Sequence, residues 1–117
     1  MNYKAYREYA VWDLLYETNI RRCYATIKQL IHLILLIWDE PEPQQIAVDR
    51  CYKAVAEKLN MSHQTIDANI RNLIKSLWRP ENRDNILKIT PDLTVKPNPK
   101  QFVLILLSEL KHRYPEL

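Results

Sequence analysis

The chain contains no glycine among its 117 residues. Glycine-rich loops that cradle phosphate groups are therefore excluded, because their backbones need residues without a β-carbon. The two cysteines, Cys23 and Cys51, lack the spacing of a metal site, and we expect both to be buried thiols in a reducing compartment. The three histidines have no ligand spacing either. We therefore expect a protein that is not an enzyme, that takes no small-molecule substrate and that holds no cofactor or metal.

The sequence also lacks a long apolar segment. Its most apolar run, residues 30–38, is too short to cross a bilayer and includes His32. The first ten residues have no apolar core followed by small residues, which a secretion signal would need. We therefore expect a cytoplasmic protein without a membrane partner.

The apolar residues recur every three or four positions along most of the chain, which is the repeat of a helix packed on one side. Only residues 86–89 and 93–95 could pass as strands. The length and the apolar content of 47% are ordinary for one globular domain. The sequence thus predicts a single all-α domain, residues 1–117, with about five to six helices. The predicted helices cover about residues 3–17, 21–38, 46–59, 63–78 and 100–113, with one further helical turn near residues 82–87.

The first predicted helix is unusually aromatic. It carries the tyrosines Tyr3, Tyr6, Tyr9 and Tyr16. These side chains either cover the core or form a dimer surface, and we expect the first. We also expect Trp12, Trp38 and Trp78 to anchor the core and His32 to be a hydrogen-bonded core or interface residue.

Residues 46–78 have the pattern of a helix-turn-helix. A short helix ends at Leu59, and a second helix begins after Ser62. Asn60 stands where the turn needs a positive φ, and asparagine is the best substitute for glycine in the left-handed region. Ser62 is placed to cap the second helix by accepting a hydrogen bond from a backbone amide. Each local feature therefore agrees with the motif.

The second helix of the motif is predicted to present a polar face away from the core. At about 100° per residue, that face collects Gln64, Thr65, Ala68, Arg71, Asn72 and Lys75. Such side chains can bind base edges, since arginine bonds bidentately to guanine, and glutamine or asparagine to adenine. Between Arg50 and Arg79, six basic residues stand against two acidic ones, whereas the net charge of the whole chain is +3. The positive charge is concentrated on the motif, as phosphate contact requires.

We therefore expect the second helix of the motif to enter the major groove of double-stranded DNA. The predicted DNA-binding residues are Lys53, Lys58, Ser62, His63, Gln64, Thr65, Asp67, Ala68, Arg71, Asn72, Lys75 and Arg79. Phosphate contacts are assigned to Lys53, Lys58, Lys75 and Arg79, while His63 is either a further phosphate contact or an ordinary first-turn residue. The alternative is a helical adaptor that binds another polypeptide through Tyr6 and Tyr9, because any solvated helix also has a polar face.

The sequence also resembles the C-terminal DNA-binding effector domain of the master sporulation response regulator of spore-forming Firmicutes. The similarity spans about residues 11–112. It is carried, in the family's order, by residues 14–20 (LLYETNI), 51–60 (CYKAVAEKLN), 70–78 (IRNLIKSLW) and 96–110 (KPNPKQFVLILLSEL). The KPNPKQF segment and the tryptophan that closes the recognition helix are more specific than the helix-turn-helix. The resemblance implies a six-helix transcription regulator. It also implies that two domains pair on tandem DNA sites, as a homodimer would.

Carried over residue by residue, the resemblance assigns base reading to Asp67, Ala68 and Arg71. The family has glutamate, arginine and arginine there, so Arg71 alone is identical. The missing arginine at Ala68 removes a guanine contact worth about 1–3 kcal/mol of discrimination, and we expect a different target sequence. The phosphate-facing positions of the family fall on Gln64, Thr65 and Asn72. The family domain follows a phosphoacceptor receiver domain, but this chain starts at Met1, and we expect no control through a receiver of its own.

Overall fold

The computed structural model describes residues 3–20 and 23–117. These residues form six α-helices and no β-strand, which confirms the predicted all-α class. The helices are α1 (Tyr3–Glu17), α2 (Tyr24–Ile37), α3 (Val48–Leu59), α4 (His63–Leu77), α5 (Arg83–Leu87) and α6 (Pro99–Arg113). Residues 86–89 and 93–95, which could have been strands, are not. Residue 86 already lies within α5, and residues 93–95 form a loop.

Helix α2 is the central helix, and it packs against α1, α3, α4 and α6. It is apolar over much of its girth because these neighbours cover several sides of it. Its buried apolar residues are Ile27, Leu30, Ile31, Leu33, Ile34 and Ile37. The amide oxygen of the buried Gln29 accepts a 3.1 Å hydrogen bond from Asn69 Nδ2, which ties α2 to α4. The predicted start at residue 21 lies outside the described residues, and the described helix begins at Tyr24.

Two helices end on asparagines with positive φ in place of glycine. The φ angle is 56° at Asn19 and 54° at Asn60. After α3, the Met61 amide donates to the Ala56 carbonyl at 3.0 Å and the Asn60 amide to the Glu57 carbonyl at 3.4 Å. Two equivalent bonds follow α1, so both ends adopt the Schellman arrangement. The prediction for Asn60 is confirmed, and the chain makes the same tight corner twice without glycine.

Local features explain where α3 and α6 begin relative to the prediction. Helix α3 begins two residues late, since a 3-10 turn at Pro43–Gln45 is followed by Ala47 in an extended conformation. Helix α6 begins one residue early, because Asn98 caps it and Pro99 fits its first position. The Asn98 carboxamide oxygen accepts from the Gln101 amide at 2.8 Å, and the Gln101 side chain accepts from the Asn98 amide at 2.9 Å. This reciprocal capping box fixes the start of α6.

The tyrosines of α1 are exposed, so the expectation that they cover the core is wrong. Tyr6, Tyr9 and Tyr16 are 57%, 76% and 72% exposed. The helix instead buries Ala10, Val11, Leu14 and Leu15, which lie on its opposite side. Trp12 is also exposed and stacks on Tyr24, with 5.9 Å between the ring centroids. We call Tyr6, Tyr9, Trp12, Tyr16 and Tyr24 the aromatic face.

The remaining aromatic and thiol predictions are partly right. Trp38 is buried as expected, with the Arg7 guanidinium 5.0 Å from the centre of its ring. Trp78 is half-buried and lies against the core. Cys51 is buried, but Cys23 is exposed. Cys23 immediately precedes the first turn of α2, outside the helical face that packs inward, so its prediction as a buried thiol is wrong.

Candidate nucleic-acid interface

Helices α3 and α4, which span the predicted helix-turn-helix, pack directly on each other. Helix α3 contributes Tyr52, Val55 and Ala56 to the core. Helix α4 contributes Ile66, Ile70, Leu73, Ile74 and Leu77. The hydroxyl oxygen of Ser62 accepts a hydrogen bond from the Thr65 amide at 3.1 Å, which confirms the predicted N-cap. This hydroxyl also lies 3.0 Å from the hydroxyl of Thr65. The start of α4 is therefore fixed by local bonds before any partner binds.

The outer face of α4 is exposed, as its periodicity predicted. Its exposed residues are Gln64, Thr65, Ala68, Arg71, Asn72 and Lys75. Half-buried Asp67 and Asn69 mark the borders of this face. The side chains that could bind base edges thus share one surface. Burial of Ile66 and Ile70 on the other side sets its orientation.

Arg71 is held within this face by an ion pair with Asp67, one helical turn earlier. Its Nε lies 3.0 Å and 2.9 Å from the two carboxylate oxygens. The Arg71 side chain is 61% exposed, and exposed pairs of this spacing contribute only about 0.3–0.5 kcal/mol. Arg71 can therefore leave Asp67 at little cost. Asp67 also lies near Tyr52, where burial, and then the Asp67 charge, raises the pKa of the phenol.

An open groove of about 260 Å³ adjoins the outer face of α4. On the helix side it is lined by Arg71, Asn72 and Lys75. On the other side lies the segment that leads into α6, including Lys96 and Asn98. Lys96 was not among the predicted site residues, and the sequence signal for it was the KPNPKQF segment itself. The structure thus brings a third cation to Arg71 and Lys75 from a distant part of the chain.

The other predicted phosphate contacts lie apart from this groove. Lys53 is exposed on α3, and Arg79 is exposed just after the end of α4. Lys58 lines a different groove, together with Lys4 and His32. His63 is half-buried at the first position of α4. The structure therefore groups Arg71, Asn72 and Lys75 with Lys96, but it does not bring Lys58 to them.

The end of α4 is stabilised by an arginine that sequence reasoning missed. The Arg83 guanidinium donates to the Trp78 carbonyl oxygen from Nε at 3.1 Å and from a terminal nitrogen at 2.7 Å. It also lies 4.4 Å from the centre of the Trp78 ring. A cation suits the negative end of a helix dipole. Arg83 and Trp78 therefore fix the C-terminal end of α4, and Ser62 fixes its beginning.

Neither a metal site nor a membrane-spanning helix accompanies this surface in the described residues. In the described residues, no group of three or more histidine, cysteine, aspartate or glutamate side chains is placed to hold a metal ion. No helix in residues 3–20 and 23–117 has the length and apolar character needed to cross a membrane. No protein-family model matches the chain, and no curated protein matches it. The geometry and charge of the residues themselves therefore carry the functional assignment.

Proposed function

We propose that this protein binds double-stranded DNA in a sequence-specific manner and acts as a cytoplasmic transcription regulator. The observation that supports the proposal is the exposed polar face of α4. This helix begins at the Ser62 cap, and its polar face adjoins the groove that Lys96 also lines. In this proposal α4 enters the major groove and α3 braces it against the backbone. No chemistry and no cofactor are required.

Base reading would depend first on Arg71. The guanidinium would exchange the Asp67 carboxylate for a guanine edge, which accepts two parallel hydrogen bonds. The exchange is inexpensive because the pair with Asp67 is exposed. Gln64 and Asn72 have carboxamides suited to adenine, and the Ala68 methyl can pack on thymine. The target sequence should therefore contain at least one guanine that is essential for binding.

Affinity would depend on the cations around this face. Lys53, Lys75, Arg79 and Lys96 are exposed and available to phosphates. Each phosphate neutralised should add about −0.9 to the slope of log affinity against log salt concentration. Lys58 is left out of this set because it lines another groove. The resemblance to the sporulation regulator's effector domain supports the same function, including a homodimer on tandem sites.

The first test is selection from a randomised duplex pool at about 0.15 M salt, near physiological ionic strength. Enrichment of a short box with an essential guanine is the expected result, and its single or tandem occurrence would report how many copies bind. Weak binding that disappears as salt rises, without an enriched sequence, would contradict sequence-specific recognition because only the electrostatic contribution would remain.

Variants of α4 then test the assignment of residues on the enriched duplex. Replacing both Arg71 and Lys75 by alanine should abolish specific binding, whereas Asp67→Asn should strengthen it by freeing Arg71 and removing a negative charge. Lys111→Ala removes an exposed cation from the last turn of α6 and should leave affinity almost unchanged. Equal binding by the parent and the Arg71→Ala, Lys75→Ala protein would refute α4 as the reading helix.

The aromatic face favours a second candidate function, the recognition of another polypeptide. Exposed aromatic side chains of this size are enriched at protein interfaces, and Tyr9 is 76% exposed. Replacing Tyr6 and Tyr9 by serine should then remove a protein partner without changing duplex binding. The two candidates are separated by the same proteins, because the Arg71→Ala, Lys75→Ala variant would keep a polypeptide partner.

A further inference from the structure

A groove between α1, α2 and α3 lies outside the proposed nucleic-acid interface. It has a volume of about 220 Å³. Its lining includes the cationic or titratable side chains Lys4, His32 and Lys58, which we call the basic rim. It also includes the apolar side chains Leu35, Leu36 and Val55, which we call the apolar floor. The groove therefore combines a basic rim with an apolar floor.

The positive charge of the basic rim is only partly offset, by the nearby carboxylate of Glu8. Within residues 3–20 and 23–117, no ion pair involves Lys4, His32 or Lys58. Burial, and then the nearby Lys4 ammonium, lowers the pKa of Lys58. The nearby Glu8 opposes this effect. Cations that approach one another in this way create a positive potential that an anion would relieve.

Arg7 is a further cation in the lining of the groove, but it already has hydrogen-bond partners in the protein. The two terminal nitrogens of Arg7 each lie 2.8 Å from an oxygen of Asp39. Its Nε donates to the Leu117 carbonyl oxygen at 2.7 Å. Arg7 is therefore part of a structural network that joins α1 to the segments after α2 and α6. The lysines and His32 are left to bind a ligand.

The apolar floor continues beyond the basic rim. A second open groove shares Leu36 and Ala54 with the first and extends to Ile37, Ile46 and Cys51, and the charged side chains Glu40 and Arg50 complete its lining. Leu36 is 45% exposed, whereas most of the leucine and isoleucine side chains of α2 are buried. A ligand with its charge at one end and an apolar chain at the other would cover Leu36 while its charge met the lysines.

We propose that this groove binds a single-chain amphiphilic carboxylate, with the carboxylate between Lys4, His32 and Lys58 and the apolar chain along Leu36. A carboxylate is compact enough to accept hydrogen bonds from both lysine ammonium groups, and such charge-assisted bonds are among the strong ones. The chain supplies the hydrophobic contribution. This site is independent of the proposed function, since no DNA is needed to occupy it.

Decanoate, kept below its micelle concentration, is the probe. It is titrated into the isotope-labelled full chain, and amide chemical shifts are followed by nuclear magnetic resonance. We expect saturable shifts for residues of α2 and α3 around Leu36 and Val55. Decanol, which has the same chain without the charge, should bind about tenfold or more weakly, because it cannot make the charge-assisted hydrogen bonds. Equal binding of decanol, or shifts confined to other surfaces, would overturn the proposal.

Two variants on one helix sharpen the test. Lys58→Ala should weaken decanoate binding by about tenfold, the effect of one lost charge-assisted hydrogen bond. Lys53→Ala removes another exposed cation of α3, one that does not line this groove, and it should bind decanoate like the parent. The spectra themselves show whether each variant is folded. Equal loss in both variants would mean a general effect of charge and would overturn the site.

Duplex binding separates this proposal from the nucleic-acid interface. Lys4→Ala removes a groove lysine that was not predicted to contact DNA, and it should bind the enriched duplex as the parent does. If it lost duplex affinity while decanoate produced no saturable shifts, Lys4 would belong to the DNA contact and the carboxylate site would be refuted. Conversely, decanoate binding by a chain that selects no DNA sequence would leave the site intact and contradict only the proposed function.

Discussion

Replacing Asn60 by alanine should destabilise the protein, because the corner between α3 and α4 needs a left-handed residue. Asn60 has φ 54° and ψ 54°, a conformation that costs a residue with an ordinary β-carbon about 1–2 kcal/mol. Asparagine recovers part of this cost through local hydrogen bonding, whereas alanine cannot. We therefore expect Asn60→Ala to lower the free energy of unfolding by roughly 1 kcal/mol.

The glycine variant should behave in the opposite way. Asn60→Gly removes the steric cost of the left-handed conformation and adds only the extra freedom of the unfolded chain. Its stability should therefore equal or exceed that of the parent. For a chain of this size, roughly 1 kcal/mol corresponds to a change in Tm of about 3–6 °C. Urea unfolding followed by helical circular dichroism measures both variants.

Asn72→Ala is the matched control, since Asn72 is an exposed asparagine inside α4. There alanine is the better helix former by up to about 0.7 kcal/mol, so the same substitution should leave stability unchanged or raise it. Asn19→Ala, at the equivalent corner after α1, should destabilise like Asn60→Ala. If Asn60→Ala were as stable as the parent, or if Asn60→Gly lost as much as alanine, the explanation of both corners would be refuted.

Two further predictions concern pH and capping. Burial, followed by the charges of Lys58 and Lys28, lowers the pKa of His32 in the folded protein below its ordinary 6.5. The unfolded chain then binds the proton more readily, so the free energy of unfolding should fall as pH drops through 6.5 and fall less steeply in His32→Gln. Identical slopes in urea titrations at several pH values would contradict this. Asn98→Ala should lower the free energy of unfolding by about 0.5–2 kcal/mol because it removes the cap of α6. Asn98→Ser should keep most of this stability, since serine can also cap a helix. Equal losses of stability in the two variants would contradict the role of Asn98 as the cap.

The sequence was sufficient for features that depend on neighbouring residues. The three- to four-residue repeat predicted an all-α chain, and the positions of α3 and α4 followed from where that repeat stops and restarts. Asn60 and Ser62 were predicted correctly because a left-handed corner and an N-cap are defined by a few consecutive residues. The exposed face of α4 followed for the same reason, since its apolar residues specify which side is buried.

The sequence was insufficient where residues far apart had to be brought together. The pattern of α1 did not reveal that its tyrosines face solvent, because either side of an aromatic helix could have met the core. Lys96 lies beside Arg71 only because α6 packs against α4. Lys58 lies with Lys4 because α1 and α3 both pack on α2.

Local chemistry therefore determined the helices, their ends and the polar face of α4 from the sequence alone. Tertiary packing decided which cations share a surface, which separated Lys58 from Arg71 and added Lys96. The physical reason is one of range. Backbone hydrogen bonds and caps form between residues a few positions apart, whereas a surface is assembled by burying apolar faces whose partners lie anywhere in the chain.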